Sequence, residues 1–482
     1  MSKNSNFISE IGKFFKEGNA DKAMHTIMDI AKHIRFDEKR LFGTESRYNC
    51  KHTHLQVFCL LLMFPCFMVR NAYGYATSSL SGLVSCGKDV FYRFLETDST
   101  DWRSVLAKVT KRLAGMIEVR SDHKEGGPVC LMVDDTDFPK TGLHTEKIGK
   151  VFSHVKLGMI LGFKALFLGL TDGKSQLILD MAVVGEEGKA KKQGLTKEQL
   201  ENRFSKDRDD GCPAKIREEE YTKSKITLMI EMIRRTIANG VRFDYILADS
   251  WFACSEVVHF VKSRHVKCHY LGMIKVGKTG KTKYVFEGQS LTAPAIVSEL
   301  LRRKRQKYSR RLRCHYMTAD VAFDGVPVRL FFVKRVKNGS WNGLVTTDKT
   351  LDFMGAYKIY SMRWSIEVVF KDCKELLGLG KYNVRNFTSQ IACTTITAIQ
   401  YNILSVARRF SDYETIGGLF RDCIDDSLEL SVTERLWQAL LDLVDEIAKI
   451  FGIDDNNIFD ILVNKSDQLN HFVYFYKLKM AS

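Results

Sequence analysis

A short, wholly apolar run constrains the fold of this chain most. Val129, Cys130, Leu131, Met132 and Val133 follow one another between a Gly-Gly-Pro sequence and a group of acids. A strand with one solvated face alternates apolar and polar residues, whereas an unbroken apolar run of this length is typical of a central strand buried on both faces. Such a strand belongs to a sheet with helices on both sides. The sequence therefore predicts an α/β core.

The segments after this strand extend the predicted core. Apolar patterns and turn residues predict strands at Met159–Leu170, Leu177–Val184, Phe243–Ala248 and His269–Ile274. Helical periodicity predicts helices at Ser224–Asn239, Cys254–Ser263, Asp352–Leu376 and Ser389–Arg409. The predicted divisions are a helical region at 1–115, the first part of the core at 116–274, a β-rich insertion at 275–347, the last part of the core at 348–410 and a helical C-terminal region at 411–482.

The N-terminal region contains a segment with the size of a helix-turn-helix. Thr77–Val84 and Lys88–Leu95 are predicted helices separated by a short turn. Lys88 and Arg93 on the second helix are candidate DNA contacts. An ordinary helical hairpin has the same pattern and is the alternative.

The charge balance favours a polyanionic partner. The chain has 73 Lys and Arg against 57 Asp and Glu, a formal net charge of +16. Lys and Arg side chains that neutralise phosphates release condensed counterions, which makes nucleic acid a natural partner for a basic protein. The longest apolar run, Leu55–Val69, is too short to span a bilayer. The 12 cysteines contain no Cys-x-x-Cys pair, so a zinc ribbon is not expected. We expect these cysteines to be reduced thiols in a cytoplasmic protein.

Two acids occupy predicted strand ends, where α/β sheets usually place their sites. Asp135 lies after the first core strand and Asp249 directly after the fourth. Close carboxylates repel each other unless a cation lies between them, and Mg²⁺ prefers oxygen ligands. Asp134 and Asp137 compete with Asp135 as the ligand. Side chains alternate along a strand, so Asp134 and Asp135 cannot both face the same site. For each Asp, helix capping is the alternative role.

A third acid lies in a predicted helix together with two cations. Tyr360, Arg363, Glu367 and Lys374 are separated by three, four and seven residues, a spacing that puts them on one helix face. An Arg fork binds phosphate with two hydrogen bonds, and a Lys adds a mobile charge. A solvated face with ordinary ion pairs has the same spacing and is the alternative.

The spacing Tyr-x₂-Arg-x₃-Glu-x₆-Lys resembles the signature of bacterial insertion-sequence transposases of the insertion sequence four family, in the DDE superfamily. The chain matches all four positions and also has an Asp-Asp-Thr after its first core strand and an Asp after its fourth. The resemblance covers roughly residues 128–400. It implies a ribonuclease-H-like catalytic core with a β-rich insertion.

The resemblance also implies roles for these residues. Asp135, Asp249 and Glu367 correspond to the three catalytic, metal-binding carboxylates, and Tyr360, Arg363 and Lys374 to residues that hold the terminal DNA phosphates. Lys371 on the same helix is a further candidate DNA contact. The helical region at 1–115 becomes a candidate DNA-end-binding domain.

The reaction and the partners follow from the same resemblance. Members of the family cleave transposon ends, form a hairpin on them, reopen it and join the ends to target DNA. Two Mg²⁺ ions, which Mn²⁺ can replace, are the implied cofactors. The implied partners are double-stranded DNA and a second copy of the chain in a paired-end complex, and no membrane is expected as a partner. The implied location is the cytoplasm of a bacterium, in association with the nucleoid. A non-transposing DNA nuclease on the same fold is the alternative.

Two features of the insertion are further candidates for DNA contact. The segment 302–313 holds eight Lys or Arg in twelve residues, of which Arg302, Arg303, Arg305, Arg310 and Arg311 are candidate phosphate contacts. A solvated charged face is the alternative. Trp341 lies in a turn-like sequence, and relatives that make hairpins hold a flipped base with a Trp of the insertion. For Trp341, anchoring a loop is the alternative.

Overall fold

The computed structural model describes residues 22–428, except residues 35, 48, 79, 82–83, 118–126, 278–279 and 337–338. The predicted C-terminal helices beyond residue 428 and part of the first helix of the predicted helix-turn-helix therefore lie outside the described residues. Residues 416–428 are helical. In the part of the chain that the structure describes, no helix has both the length and the apolar character needed to cross a membrane.

Among the described residues of the N-terminal part, the regular secondary structure is helical. Its helices are α1 (Lys22–Ile34), α2 (Glu38–Phe42), α3 (His54–Met63), α4 (Lys88–Leu95) and α5 (Trp102–Ile117). They share one apolar core with the sheet, because the long helix α13 (Phe387–Arg409) contacts α1, α3, α4, α5 and the fourth strand. Side chains of α13 reinforce this packing, as the Gln400 amide donates to the Leu61 carbonyl at 2.9 Å.

The described strands form one 12-stranded mixed sheet. Its first half consists of β1 (Cys130–Pro139), β2 (Gly149–Ser153), β3 (Gly158–Thr171), β4 (Gln176–Val184), β5 (Tyr245–Ala248) and β6 (His269–Ile274). β3 pairs antiparallel with β1 and with β4, whereas β5 runs parallel to β1 and β6 runs parallel to β5. The order β4-β3-β1-β5-β6 thus places β1 in the centre. Its first four residues are fully buried, as the apolar run predicts.

The insertion continues this sheet. Within its described residues it contains β7 (Lys283–Phe286), β8 (Gln289–Thr292), α10 (Ala293–Arg302), β9 (Lys307–Ser309), β10 (Cys314–Phe323), β11 (Val326–Lys334) and β12 (Asn342–Thr346). β12 pairs antiparallel with β6, so hydrogen bonds join the inserted strands directly to the central ones. Helix α10 was not predicted from the sequence.

Helices cover both faces of the sheet. Between β4 and β6 the helices are α6 (Lys197–Glu201), α7 (Pro213–Glu219), α8 (Lys225–Ala238) and α9 (Ser255–Lys262), and after the insertion they are α11 (Phe353–Ser361), α12 (Ser365–Glu375) and α13. Alternate residues of one strand enter different cores: Leu247 packs with Phe353 of α11, and Ile246 packs in the main core. The sheet is therefore buried on both faces around β5, next to the predicted site.

Candidate active site

The acids of β1 lie inside the strand and not after it, so the prediction that Asp135 follows the strand end is wrong. β1 pairs with β3 as far as Pro139, whereas its pairing with β5 ends at the register Val133–Ala248. The unbroken run of buried residues ends there, but hydrogen bonds to β3 extend β1 to Pro139. From residue 134 onward, β1 therefore has an open edge on the side of β5, and Asp249 follows at the end of β5.

Asp134 faces helix α12 and Asp249. Its Oδ2 accepts from Nη1 of Arg363 at 3.1 Å. Burial raises the pKa of Asp134 to about 6, with a further upward contribution from the charge of Asp249 and downward ones from the Asp135 N–H and Arg363. Burial and the neighbouring carboxylate of Asp249 therefore both disfavour the charged form of Asp134.

Asp135 faces the opposite side of β1, as strand alternation requires. Its Oδ1 accepts from Lys225 at 2.9 Å, and its Oδ2 lies 3.5 Å from the ammonium of Lys164. Lys164 also pairs with Asp137 at 2.5 Å. The structure therefore groups Asp134, and not Asp135, with Asp249 and Glu367. The backbone N–H of Asp135 donates to Oδ1 of Asp134 at 2.8 Å, so Asp135 can help to orient its neighbour.

Asp249 is held in a tight turn after β5. Its Oδ1 accepts from the backbone N–H of Trp251 at 2.8 Å. The following helix, α9, begins at Ser255 with Cys254 at its N-cap position, so Asp249 does not cap it. The turn fixes the carboxylate of Asp249 at the carboxyl end of β5, on the sheet edge that Asp134 also reaches.

The helix that carries Glu367 is interrupted, contrary to the single helix predicted at Asp352–Leu376. α11 ends at Ser361, a 3₁₀ turn covers Met362–Trp364, and α12 begins at Ser365. Glu367 is therefore in the first turn of α12.

Arg363 links two of the carboxylates. Its Nη2 donates to Glu367 at 2.7 Å while its Nη1 donates to Asp134. Burial lowers the pKa of Arg363, but Tyr360, Glu367 and Asp134 outweigh this effect and raise it. Its Nε is buried and has no hydrogen-bond partner among the described residues. The two carboxylates thus do not satisfy the whole guanidinium, which leaves a buried donor for a further acceptor.

Tyr360 and Lys374 complete this group. The Tyr360 hydroxyl donates to the Ala248 carbonyl at 3.5 Å, and the Arg363 guanidinium lies 5.8 Å from its ring centre. Burial raises the pKa of Tyr360 to about 12, so its proton is retained at neutral pH. Lys374 donates to the hydroxyl of Thr136 at 2.5 Å, on the same face of β1 as Asp134. Burial lowers the pKa of Lys374.

The donor set suits a hard divalent cation. Among the described residues, no group of three or more His, Cys, Asp or Glu side chains is close enough to hold a metal ion as it stands. Arg363 lies between Asp134 and Glu367 and supplies the positive charge there. Asp134 and Glu367, which Arg363 joins, and the nearby Asp249 supply the carboxylate oxygens that Mg²⁺ and Mn²⁺ prefer as ligands. The residues present therefore fit such an ion, provided that Arg363 moves aside.

The other predicted contacts lie outside this group. Lys371 and Arg93 are exposed, and the Lys88 ammonium lies over the Tyr73 ring at 5.4 Å. Trp341 is partly buried against the main core, with the Lys334 ammonium 5.1 Å from its ring centre. Because β12 pairs antiparallel with β6, Trp341 lies beyond the carboxyl end of β6, on the sheet edge that also carries Asp249.

The basic segment divides into two parts. Arg302 and Arg303 form ion pairs with Glu299, and Arg303 also pairs with Glu287. Arg305, Arg310 and Arg311 are exposed, and the described residues include no acid paired with them. Only this second part has guanidinium groups that are available for phosphate.

Three residues near the site were missed by sequence reasoning. Lys164, Lys225 and Trp251 surround Asp135 and Asp249, yet they come from β3, the start of α8 and the loop after β5. One signal was available, because Ser224 caps α8 and so marks Lys225 as the first residue of a helix. Nothing in the sequence pattern places Lys164 opposite Asp137.

Comparisons with known proteins identify the class of these domains. A family model described as "DDE superfamily endonuclease" matches residues 78–283, and one described as "Transposase DDE domain" matches residues 210–403. No protein of curated function matches the chain.

Solved structures give weaker likenesses. A piggyBac transposase synaptic complex with hairpin DNA is 12% identical and has a TM-score of 0.41, covering 84% of this chain and 79% of that chain. The NurA nuclease from Sulfolobus solfataricus is 9% identical with a TM-score of 0.23, covering 56% of this chain and 84% of that chain. These scores are too low for either structure to establish the fold of this chain. On the family models, DDE-superfamily endonuclease and transposase domains are present within residues 78–403, and such domains imply nucleic-acid cleavage as their activity.

Proposed function

We propose that this protein is a cut-and-paste DNA transposase of the insertion sequence four type. The observation that carries the proposal is the convergence of Asp134, Asp249 and Glu367 with Arg363 on one sheet edge. Carboxylates and a phosphate-binding arginine at one point are the groups needed to cleave a phosphodiester. The Tyr-Arg-Glu-Lys spacing and the transposase domain model support the same function.

Asp134 takes the role that the resemblance assigned to Asp135. Asp134 shares a partner with Glu367, whereas Asp135 is neutralised by two lysines on the other face of β1. Asp134, Asp249 and Glu367 would hold two Mg²⁺ ions. Such ions activate the attacking water or hydroxyl and stabilise the leaving oxygen of a phosphodiester.

The remaining residues act on the DNA phosphates. Arg363 exchanges its carboxylate partners for a phosphate oxygen, which its unsatisfied Nε also favours. Lys374 adds charge next to β1, and Tyr360, which keeps its proton, donates a hydrogen bond. These groups orient the scissile phosphate against the acids, and the half-buried setting of Arg363 strengthens each contact.

The architecture supports the remaining parts of the proposal. The order β4-β3-β1-β5-β6, with three antiparallel strands followed by two parallel ones, supports a ribonuclease-H-like core with the insertion before Glu367. We propose that the N-terminal helices, with Lys88 and Arg93, bind the transposon ends. A hairpin intermediate, joining to target DNA and a homodimer on paired ends rest on the resemblance of the signature. A non-transposing nuclease on the same fold remains the second candidate function, because one of the matching family models is an endonuclease.

Replacing Glu367 by Gln tests the proposed chemistry. We expect Glu367→Gln to lower the rate of cleavage of linear DNA that carries the sequences flanking the gene by about 10³-fold, because several kcal/mol of metal-based stabilisation are lost. DNA binding should persist. Glu375→Gln, an exposed position on the same helix, is the control and should cleave normally. The proposal would be contradicted if EDTA did not inhibit cleavage by the wild-type protein, or if Glu367→Gln cleaved at the full rate. Cleavage of the ends without joining to target DNA would favour the nuclease.

The basic segment provides a second test. The double variant Arg310→Ala/Arg311→Ala should weaken DNA binding and reduce the slope of log K against log[salt] by about 2, at about 0.9 for each lost phosphate contact. Arg302→Ala/Arg303→Ala is the matched control and should change the slope much less, because its guanidiniums are already paired with acids. DNA-binding titrations at several salt concentrations give these slopes. Equal slopes for the two double variants would mean that the segment is a solvated charged face and not a phosphate contact.

A further inference from the structure

The strands β2 and β3 form a ribbon that extends beyond the rest of the sheet. β1 pairs with β3 only as far as Pro139 and Gly162, whereas β2 pairs with the preceding residues of β3, out to the pair Ser153 and Gly158. Residues 149–162, which we call the β2–β3 hairpin, therefore run past the carboxyl end of β1. This is the end of the sheet at which the catalytic acids lie, so DNA that approaches the acids comes within reach of the hairpin.

The β2–β3 hairpin exposes apolar side chains that the fold does not use. Val155 and Leu157 in its turn are 91% and 83% exposed, and the cross-strand pair Phe152 and Met159 is 38% and 52% exposed. Leu157 also has a φ of 50°, a left-handed conformation that is uncommon for residues other than Gly, Asn and Asp. Exposed apolar surface and an unfavourable backbone conformation at one turn indicate a contact with a partner.

The apolar strip lies on the face of the sheet that carries Asp134. Asp134 is opposite Phe167 in the pairing of β1 with β3, and strand alternation places Met159 on the same face as Phe167. Phe152, which is opposite Met159, lies on this face as well. Leu157 is about ten residues from Phe167, which corresponds to roughly 30 Å of extended chain, or about nine base pairs of DNA. The tip of the hairpin is therefore within one helical turn of a phosphate bound at the acids.

Exposed lysines lie beside the hairpin. The segment after β4 packs along β2, because the Lys150 backbone N–H donates to the Gln193 carbonyl at 2.8 Å. Its acid Glu186 accepts from the Phe152 backbone N–H at 2.9 Å. The segment also has three exposed lysines that form no ion pair with any described residue, namely Lys189, Lys191 and Lys192. Together with the exposed Lys156 in the turn, they surround the apolar tip with charge that suits phosphates.

From this arrangement we infer that the β2–β3 hairpin is a wedge that bends the duplex leading to the active site. Leu157 and Val155 enter a base step, and the neighbouring lysines hold the phosphates on either side. Apolar side chains inserted between base steps unstack them and kink the duplex, and the bent DNA then contacts more of the protein. The inference rests on the proposed function, which brings DNA to the acids. The lysines favour DNA over a second copy of this basic chain as the occupant.

The test measures the bend of a duplex that carries the sequences flanking the gene and a dye at each end. Energy transfer between the dyes should rise when wild-type protein binds without divalent metal. Leu157→Asn removes the apolar side chain and introduces a residue that tolerates a positive φ, so the fold should be retained. This variant should abolish the rise and weaken binding about tenfold. Ile216→Asn, at a position on α7 that is 47% exposed, is the control and should behave as wild type.

A mismatch in the duplex separates wedging from simple contact. A mismatched step lowers the energy needed to kink DNA, so it should tighten binding of the wild-type protein by about tenfold. The effect should be largest when the mismatch lies about nine base pairs from the cleavage point. Leu157→Asn should bind matched and mismatched duplexes equally, whereas equal tightening of both proteins would assign the bend to another part of the chain.

Other outcomes also overturn the inference. Wild-type protein that binds the duplex without bending it, or Leu157→Asn that bends it fully, rules out the wedge. A changed oligomeric state of Leu157→Asn with normal bending makes the turn a contact between copies. Cleavage by wild type and Glu367→Gln in Mg²⁺, measured in parallel, separates the two claims. Metal-dependent cleavage of DNA that is not bent removes this inference alone, and bending without metal-dependent cleavage contradicts the proposed function alone.

Discussion

Asp134→Asn is expected to lower the rate of metal-dependent DNA cleavage by about 10³-fold, because it removes a metal ligand whose contribution is several kcal/mol. Asp135→Asn is expected to lower the rate by no more than about 10-fold, because the Asp135 side chain contacts only Lys225 and Lys164, and its backbone N–H, which donates to Asp134, is retained. The two variants are neighbours with the same chemical change, so each is the control for the other. Initial rates of cleavage at saturating Mg²⁺ give the comparison.

The affinity for Mn²⁺ separates the two roles further. Asp134→Asn should weaken Mn²⁺ binding measured by calorimetry, whereas Asp135→Asn should leave it nearly unchanged. Asp135 has Lys225 and Lys164 as partners, and a metal ion at Asp135 would have to displace both. A reversed order of the two variants, in rate and in affinity together, would return the first ligand to Asp135.

Arg208→Met is expected to lower the free energy of unfolding by about 3–5 kcal/mol, because it removes one partner of a buried ion pair and leaves a charge behind. The guanidinium of Arg208 is fully buried and holds the two carboxylate oxygens of Glu146 at 2.6 and 2.8 Å. It also contacts Asp98 at 3.2 Å and Thr388 at 3.2 Å. Arg208 thus joins the segment after α4, the loop before β2 and the start of α13.

Urea denaturation followed by circular dichroism measures this loss. Arg302→Met is the control, since Arg302 is also paired with a glutamate but is 73% exposed, and its loss should not change stability measurably. A value for Arg208→Met that is indistinguishable from this control would show that the Arg208 network does not connect the N-terminal helices to the core.

Local pattern was sufficient for much of the fold. The strand at His269–Ile274 has the predicted bounds, and helix α8 lies within one residue of its prediction, between the cap Ser224 and Gly240, whose φ of 79° suits glycine. These elements have strong periodicity and clear end signals. Helix α10 was missed because its basic end, at Arg302, merges with the charged run and hides the apolar stripe.

The site was harder to predict than the fold. The sequence placed three acids at one sheet edge but could not choose between Asp134 and Asp135. Strand alternation shows that these two side chains point to opposite faces of the sheet, but it does not show which face carries the site. That choice depends on Lys164 and Lys225, which reach Asp135 from β3 and α8. The interruption at Met362–Trp364 was also not predictable, since the run from Asp352 to Leu376 has helical periodicity throughout.

The position of a bound metal ion tests the assignment of Asp134, Asp249 and Glu367 as its ligands. Crystals of the protein with cleaved end DNA, soaked in Mn²⁺, would give an anomalous difference map that locates the ion. Density is expected among the carboxylates of Asp134, Asp249 and Glu367, with the Arg363 guanidinium turned from them to a DNA phosphate. Density bounded by Asp135 and Asp137, or an Arg363 that still bridges Asp134 and Glu367 in the loaded complex, would contradict it.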